Sequence, residues 1–201
     1  MSTGIVILAA GESSRMGEPK QLLAFQGTNL LQHTIDTALS LEATPVVVVL
    51  GAHAAKIRAQ LDESRLLIAI NPDWHEGMGG SLRTGLQTLL DTHQDVSTVI
   101  FLLCDQPLLS ASTLNHLIAT HERTGFDIVA SEYDGALGVP ALFARSMFAE
   151  LLALRGETGA RQIIRAHRAR AVGVAFPDGA IDIDTPADYR SLSQLSTPAP
   201  V

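Results

Sequence analysis

The sequence predicts an α/β fold on a mostly parallel central sheet, and three observations carry that expectation. Short apolar runs rich in Val, Ile and Leu alternate with amphipathic stretches along the chain, and continuous apolar strands of this kind are those that helices cover on both faces. The composition, 46% hydrophobic and 17% charged over 201 residues, supports a full core without disulfides or a structural metal. The single cysteine, Cys104, excludes an intramolecular disulfide; in the apolar run from Ile100 it reads as a core hydrophobe of a reducing compartment.

Taken in chain order, strands are expected over residues 4–10, 45–50, 66–70, 98–104, 127–131 and 171–176. Leu30, Leu31, Ile35, Ala38 and Leu39 recur at helical spacing, with Thr28 or Asn29 as the cap. Leu82, Leu86, Leu89 and Leu90 repeat the pattern behind Ser81. Further helices are expected over residues 54–61, 113–122 behind Ser110 or Ser112, 146–154, 160–167 and 187–195, the last with Pro186 near its first turn. No repeat, charge block or long linker divides residues 1–195, which are expected to form one domain. Residues 196–201 carry no core residue and are expected to be a disordered tail.

Fourteen Lys and Arg against 21 Asp and Glu give a formal charge of −7, which argues against nucleic acid and anionic membranes as partners. No apolar stretch approaches the ~18 residues of a membrane span, and Met1-Ser2-Thr3-Gly4 presents no basic region ahead of an apolar one. The expected location is the cytoplasm. Any phosphate bound by so acidic a chain must be held by local features.

Such a feature follows the first strand in Leu8-Ala9-Ala10-Gly11-Glu12-Ser13-Ser14-Arg15-Met16-Gly17-Glu18-Pro19-Lys20. Ligands of open α/β sheets bind beyond the carboxyl ends of strands, where this loop lies. Ala9, Ala10 and Gly11 are small enough for a base or sugar to approach, and Gly11 and Gly17 permit turns whose N–H groups ring a phosphate. Arg15 and Lys20 add cations. The P-loop spacing fails, since five residues separate Gly11 from Gly17 and Lys20 comes later, and G-x-G-x-x-G is absent. The bland alternative is a polar surface loop with two solvated cations.

The full string resembles the L-A-A-G-x-S-x-R-M-G-x-x-K signature of the MobA-like nucleotidyltransferases and matches it from Leu8 through Lys20. The resemblance implies a Rossmann-like three-layer sandwich of the nucleotide-diphospho-sugar transferase type. It also implies that Leu8, Ala9, Ala10 and Gly11 wrap a nucleoside triphosphate, with Arg15 and Lys20 on its phosphates. The Ala-Ala-Gly variant is most similar to the molybdenum cofactor cytidylyltransferase branch. Ala10 stands where the guanylyltransferase branch usually has Gly, which tilts the base toward cytosine.

Five other segments extend the resemblance to Asp188. In the stretch from Asn71 to Gly85, which is similar to the family's N-P-x-x-x-x-G-x-x-x-S, backbone near Gly79 and Gly80 and the Ser81 hydroxyl can reach a base edge or ribose. Ser81 as a plain N-cap is the alternative. His75 reads as a loop residue, because no His follows Glu76 at metal-motif spacing. Asp105, just past a buried strand and within a match to the x-x-D-x-P metal segment, is a hard oxygen donor suited to Mg²⁺, or else a turn former. Asp182 and Asp184, in a match to the D-I-D-T-P ending, alternate onto one face and repel unless a cation or donors separate them. Either can be the second metal ligand, with Asp182 favoured; capping of the next helix by Asp184 or Thr185 is the alternative. Residues 135–143 resemble the acceptor-side G-x-P-x-x-F stretch, or are a strand-turn-strand with Phe143 in the core. The run from Gly156 to Arg161 resembles G-D-x-G-A-R, with Glu157 for the usual Asp and Arg161 available to an acceptor phosphate.

Together these imply nucleotidyl transfer with Arg15, Lys20 and Asp105 catalytic, Mg²⁺ on Asp105, Asp182 and Asp184, and nucleotide contacts from residues 8–11, Gly79, Gly80 and Ser81. The implied substrates are CTP and a phosphorylated acceptor, molybdopterin carrying molybdenum, with a molybdoenzyme or its chaperone as a further partner. The alternatives are a sugar phosphate acceptor, guanylyl transfer from GTP, or a noncatalytic nucleotide-binding cofactor chaperone. A nucleotide-sugar glycosyltransferase is disfavoured, because Asp105-Gln106-Pro107 stands where Asp-x-Asp is expected. Lys20 and Asp105 are expected to face the cleft and to contribute little to stability.

Overall fold

The computed structural model describes residues 2–41 and 44–195, so the expected tail at 196–201 lies outside the described residues. All six expected strands form: β1 (Thr3–Ala9), β4 (Val46–Leu50), β5 (Leu67–Ile70), β6 (Thr98–Leu103), β7 (Ile128–Tyr133) and β9 (Ala171–Ala175). A small hairpin, β2 (Ala24–Phe25) and β3 (Thr28–Asn29), and a long strand, β8 (Ala136–Ala144), add to them. The helices are α1 (Leu30–Leu39), α2 (Ala54–Arg58), α3 (Met78–Thr92), α4 (Ala111–Thr124), α5 (Phe148–Leu152), α6 (Ala160–Ala166) and α7 (Pro186–Leu195).

Seven strands make one sheet in the order β5-β4-β1-β6-β8-β7-β9. β8 pairs antiparallel with both neighbours, while the other ladders are parallel. Alternation along β1 divides the core. Val6 and Leu8 face Leu82, Leu86 and Leu89 of α3, whereas Ile5, Ile7 and Ala9 face the layer of Leu31, Ile35, Leu114 and Leu117. Each fully buried leucine of α3 stabilises by roughly 1.5–3 kcal/mol. The three-layer α/β sandwich expected from the sequence is the observed architecture. Among the described residues, no helix is long and apolar enough to cross a membrane.

Two expectations are corrected and one open choice is resolved. Beyond the turn at Gly135, residues 136–143 are not a strand-turn-strand but part of the continuous β8, because the break falls in the pairing rather than in the chain. Ala141 pairs with Ala130 and Gly138 with Ser131, so a register shift absorbs Val139 and Pro140, and proline, lacking an N–H, is tolerated at such bulges. A Cβ at Gly138 would displace the Tyr133 hydroxyl, which bonds to the Val139 carbonyl. Secondly, α3 begins at Met78 behind Gly77, which puts Ser81 inside the helix rather than at its cap. Thirdly, Ser110 rather than Ser112 caps α4, its hydroxyl accepting from the Thr113 N–H.

A separate apolar cluster of Leu23, Phe25, Leu30, Ile183 and Leu192 ties the β2–β3 hairpin to the C-terminal segment. Ile183 is fully buried in it and donates its N–H to the Asp105 carbonyl, 3.0 Å. This anchor brings residues 182–184 to the end of β6.

Candidate functional site

The loop after β1 is shaped from within by Gln21, a buried amide that composition and spacing did not single out. Its Nε2 donates to the carbonyls of Ala9 and Gly11, each at 3.0 Å. The Ser13 hydroxyl donates to Gln21 Oε1 and accepts from the Lys20 N–H at 3.1 Å. Ser13 and Gly17 adopt positive φ, 60° and 77°. Gln21 and Ser13 thus tie Ala9, Gly11 and Lys20 together, and the Met16 N–H turns inward onto the Ser13 carbonyl. A Cβ at Gly11 or Gly17 would meet no atom within 4 Å. The space beside both glycines is open.

Lys20 points from the end of this loop to two carboxylates. Its Nζ donates to Asp105 Oδ2 at 2.6 Å and to Asp184 Oδ1 at 2.8 Å, and Arg15 Nη2 donates to the second oxygen of Asp184 at 2.7 Å. Burial alone would pull the Lys20 ammonium down, but Asp105 and the hydrogen bonds to both carboxylates outweigh it and hold it above the ordinary lysine range. The Lys20 hydrogen bond in turn keeps the Asp184 carboxyl below the usual range. Thr185 and Asp188 cap α7 reciprocally, the Asp188 carboxylate accepting from the Thr185 N–H at 2.7 Å. That leaves Asp184 for the cations.

Asp182 is treated differently. Partial burial, followed by the charges of Asp184 and Asp105, pushes its carboxyl upward. Asp105 keeps one oxygen, Oδ1, buried and without a hydrogen-bond partner. The expected metal trio is thus not assembled as a cage: among the described residues, no group of three His, Cys, Asp or Glu is arranged to hold an ion. Lys20 stands between two of the three. Mg²⁺, however, commonly takes only one or two carboxylates and completes its octahedron with phosphates and waters. The unpaired Asp105 oxygen and the uncompensated Asp182 carboxylate fit such a two-ligand site.

A cleft of about 340 Å³ opens between the loop, the end of β6 and the start of α3. Leu8, Ala9, Ala10, Gly11, Lys20, Ser81 and Asp105 line it, as expected from the sequence, together with Gln21, Trp74, His75, Met78 and Glu157. His75 faces Trp74 edge-on in a short 3-10 turn. The Ser81 hydroxyl accepts from Asn71 Nδ2 at 3.0 Å, which leaves its proton free to donate. Cys104 also lines the cleft, but burial, then Asp105, pushes its thiol up to about 12, so it stays neutral.

Gly79 and Gly80 do not line the cleft. The Gly79 N–H donates to the Gly156 carbonyl at 2.9 Å, and a Cβ there would lie 2.9 Å from the Thr158 carbonyl. Gly80 packs on the Asn71 side chain. Gly79 lets α3 approach the 156–158 turn, whose Glu157 lines the cleft. Arg15 is likewise outside the cleft wall, held on Asp184. A smaller cavity, about 200 Å³, adjoins through Leu103 and is lined by Gln106, Tyr133, Arg161 and Asp182, among others. Arg161 is not free there: it donates to the Tyr133 hydroxyl at 3.1 Å and stacks on that ring at 5.7 Å.

A parallel sheet with strands ordered β5-β4-β1-β6, a glycine loop beyond β1 and a carboxylate beyond β6 define a Rossmann-like nucleotide-binding protein of the nucleotidyltransferase class. The chain belongs to the MobA-like NTP transferase family, whose domain model matches residues 5–171. The purine catabolism protein PucB of Bacillus subtilis (strain 168) is 32% identical to it over 194 residues, 92% of each chain. The crystal structure of Rv0371c from Mycobacterium tuberculosis H37Rv superposes with a TM-score of 0.83 at 29% identity, covering 96% of this chain and 98% of that one. A structure of Rv0371C in complex with manganese gives 0.80 at 29% identity, covering 98% of this chain and all of the other.

Proposed function

We propose that this nucleotidyltransferase moves a cytidylyl group from CTP to a phosphorylated small-molecule acceptor, molybdopterin carrying molybdenum, with release of pyrophosphate. The observation that carries the reading is the placement of Lys20 between Asp105 and Asp184 at the mouth of an open glycine loop. The acceptor phosphate oxygen bonds to the α-phosphorus while the bond to the β-phosphate bridging oxygen breaks. No general base is needed, because a phosphate attacker is already ionised at pH 7. The task left to the protein is positioning and charge neutralisation.

The loop N–H groups and Ser81 orient the nucleotide. Lys20 and Arg15, released from their carboxylates, neutralise the transferring and departing phosphates. Asp105 and Asp182 would hold a divalent cation, here Mg²⁺, which when bound neutralises phosphate oxygens and aligns the two substrates. The manganese complex of the Rv0371C relative supports a divalent ion. Ala10 on the cleft wall supports cytosine, and the small cavity with Arg161 and Tyr133 supports an acceptor on the Asp182 side.

The test incubates the purified protein with Mg²⁺, molybdopterin and each of the four ribonucleoside triphosphates in turn, and follows pyrophosphate. Release with CTP well above GTP is expected. Equal turnover of the two would sink the Ala10 argument, and no turnover with any triphosphate would sink the transferase reading.

A further inference from the structure

We infer that Lys20 is the resident cation of the carboxylate pair, so that the free protein takes up a divalent ion tightly only when a triphosphate is present to receive the lysine. The inference rests on the nucleotide reading above and deepens it by giving the site a binding order. Both contacts of the ammonium are short, 2.6 and 2.8 Å, as charge-assisted hydrogen bonds are. Its side chain is only 14% exposed, so it is a component of the site and not a solvated surface charge. An ion on Asp105 Oδ1 and Asp182 would share the Asp105 carboxylate with the ammonium held at 2.6 Å on its other oxygen, and two cations on one carboxylate repel.

The lysine nevertheless fills that place incompletely. Asp105 Oδ1 is buried with no donor, and Asp182 lines the small cavity that adjoins the cleft through Leu103. Charge therefore favours a divalent ion, while the occupant opposes it. The Lys20 backbone is pinned, its N–H on Ser13 Oγ and its carbonyl accepting from Leu23. Only the side chain has to swing. Polyphosphate in the adjoining open loop is the anion it can swing toward. Such a linkage is reciprocal: whatever the triphosphate adds to metal affinity, the metal adds to triphosphate affinity.

The test measures Mn²⁺ binding by the electron paramagnetic resonance signal of the free ion, with and without a CTP analogue carrying an α,β-methylene bridge. Wild type should bind Mn²⁺ alone weakly and gain at least tenfold once the analogue is bound, over the association of Mn²⁺ with the analogue in solution. Lys20→Gln should bind Mn²⁺ alone at least tenfold more tightly than wild type, whereas Lys56→Gln, at an exposed position of α2, should not. Unchanged Mn²⁺ affinity in folded Lys20→Gln would overturn the inference. If that variant does not fold, the wild type decides: micromolar Mn²⁺ binding without nucleotide overturns it, and weak binding with the gain upholds it. A wild type that binds no triphosphate at all overturns the proposed function instead, and the Lys20→Gln comparison with Mn²⁺ alone is still read on its own.

Discussion

Two glycine-bearing turns border the same cleft, and they use their glycines for opposite ends. In the loop after β1, a Cβ on Gly11 or Gly17 would meet nothing within 4 Å. At the entry to α3, Gly77 has φ 119°, and a Cβ there would lie 2.6 Å from the Gly156 backbone. One turn keeps space clear for something absent from the chain, while the other closes space against the chain itself. Glycine content is therefore a poor guide to a binding loop. What separates the two is whether the room left by the missing side chain is already taken.

The difference can be broken from either side. The largest effect is expected from Lys20→Ala at the end of the open loop, where pyrophosphate release should fall by about 10²- to 10³-fold, as when one charge-stabilising donor is lost. The same change should lower stability by about 2–3 kcal/mol in urea unfolding, because it leaves Asp105 largely buried and unpaired. The structure thus revises the sequence expectation that Lys20 contributes little to folding. Next comes Gly77→Ala in the packed turn. Strain at positive φ and overlap with a backbone that cannot give should lower stability by about 2–3 kcal/mol, or roughly 5–10 °C in thermal melting.

Gly11→Ala sharpens the contrast, since the same change in the open loop should shift stability by less than about 0.5 kcal/mol. Nucleotide affinity by calorimetry should nonetheless weaken about tenfold, or about 1.4 kcal/mol, because the methyl enters the nucleotide's space. The smallest effect is on pH dependence. The Asp182 carboxyl is raised, so its native form is favoured below the ordinary carboxylate range and loses stability as pH rises through the raised value. Asp182→Asn should therefore melt slightly higher than wild type at pH 7, by about 0.5 kcal/mol after allowance for its exposure, and the gain should vanish in acid. Asp184 has the opposite sign: Lys20 depresses it, and its contribution is present at neutral pH and lost as pH falls through the depressed value.

Much of this was legible in the sequence. Apolar runs located six strands, and helical spacing with Asn29, Ser110 and Pro186 located the helices, because burial pattern and capping are local signals. The loop string, Asp105 and the Asp182–Asp184 pair pointed to one sheet edge, and they converge there. Gln21 and Trp74 were not legible, since a buried amide strut and a cleft wall acquire meaning only from partners distant in the chain. Gly79 was misread for the same reason, since the turn it packs against lies about 75 residues away, while Gly80 packs on the Asn71 side chain. Nor does spacing reveal that the two loop cations hold carboxylates.

β8 carries a consequence for how this protein can change over evolutionary time. Running against its neighbours, it separates the strands that present the glycine loop and Asp105 from β7, whose Tyr133 lines the smaller cavity, and from β9. Its outer edge already tolerates a slip in pairing at Val139 and Pro140. Insertions or exchanges on the far side of that seam can be absorbed without moving β1 or β6. On the function proposed above, the acceptor side can then be rebuilt while the strands that carry the donor loop stay as they are.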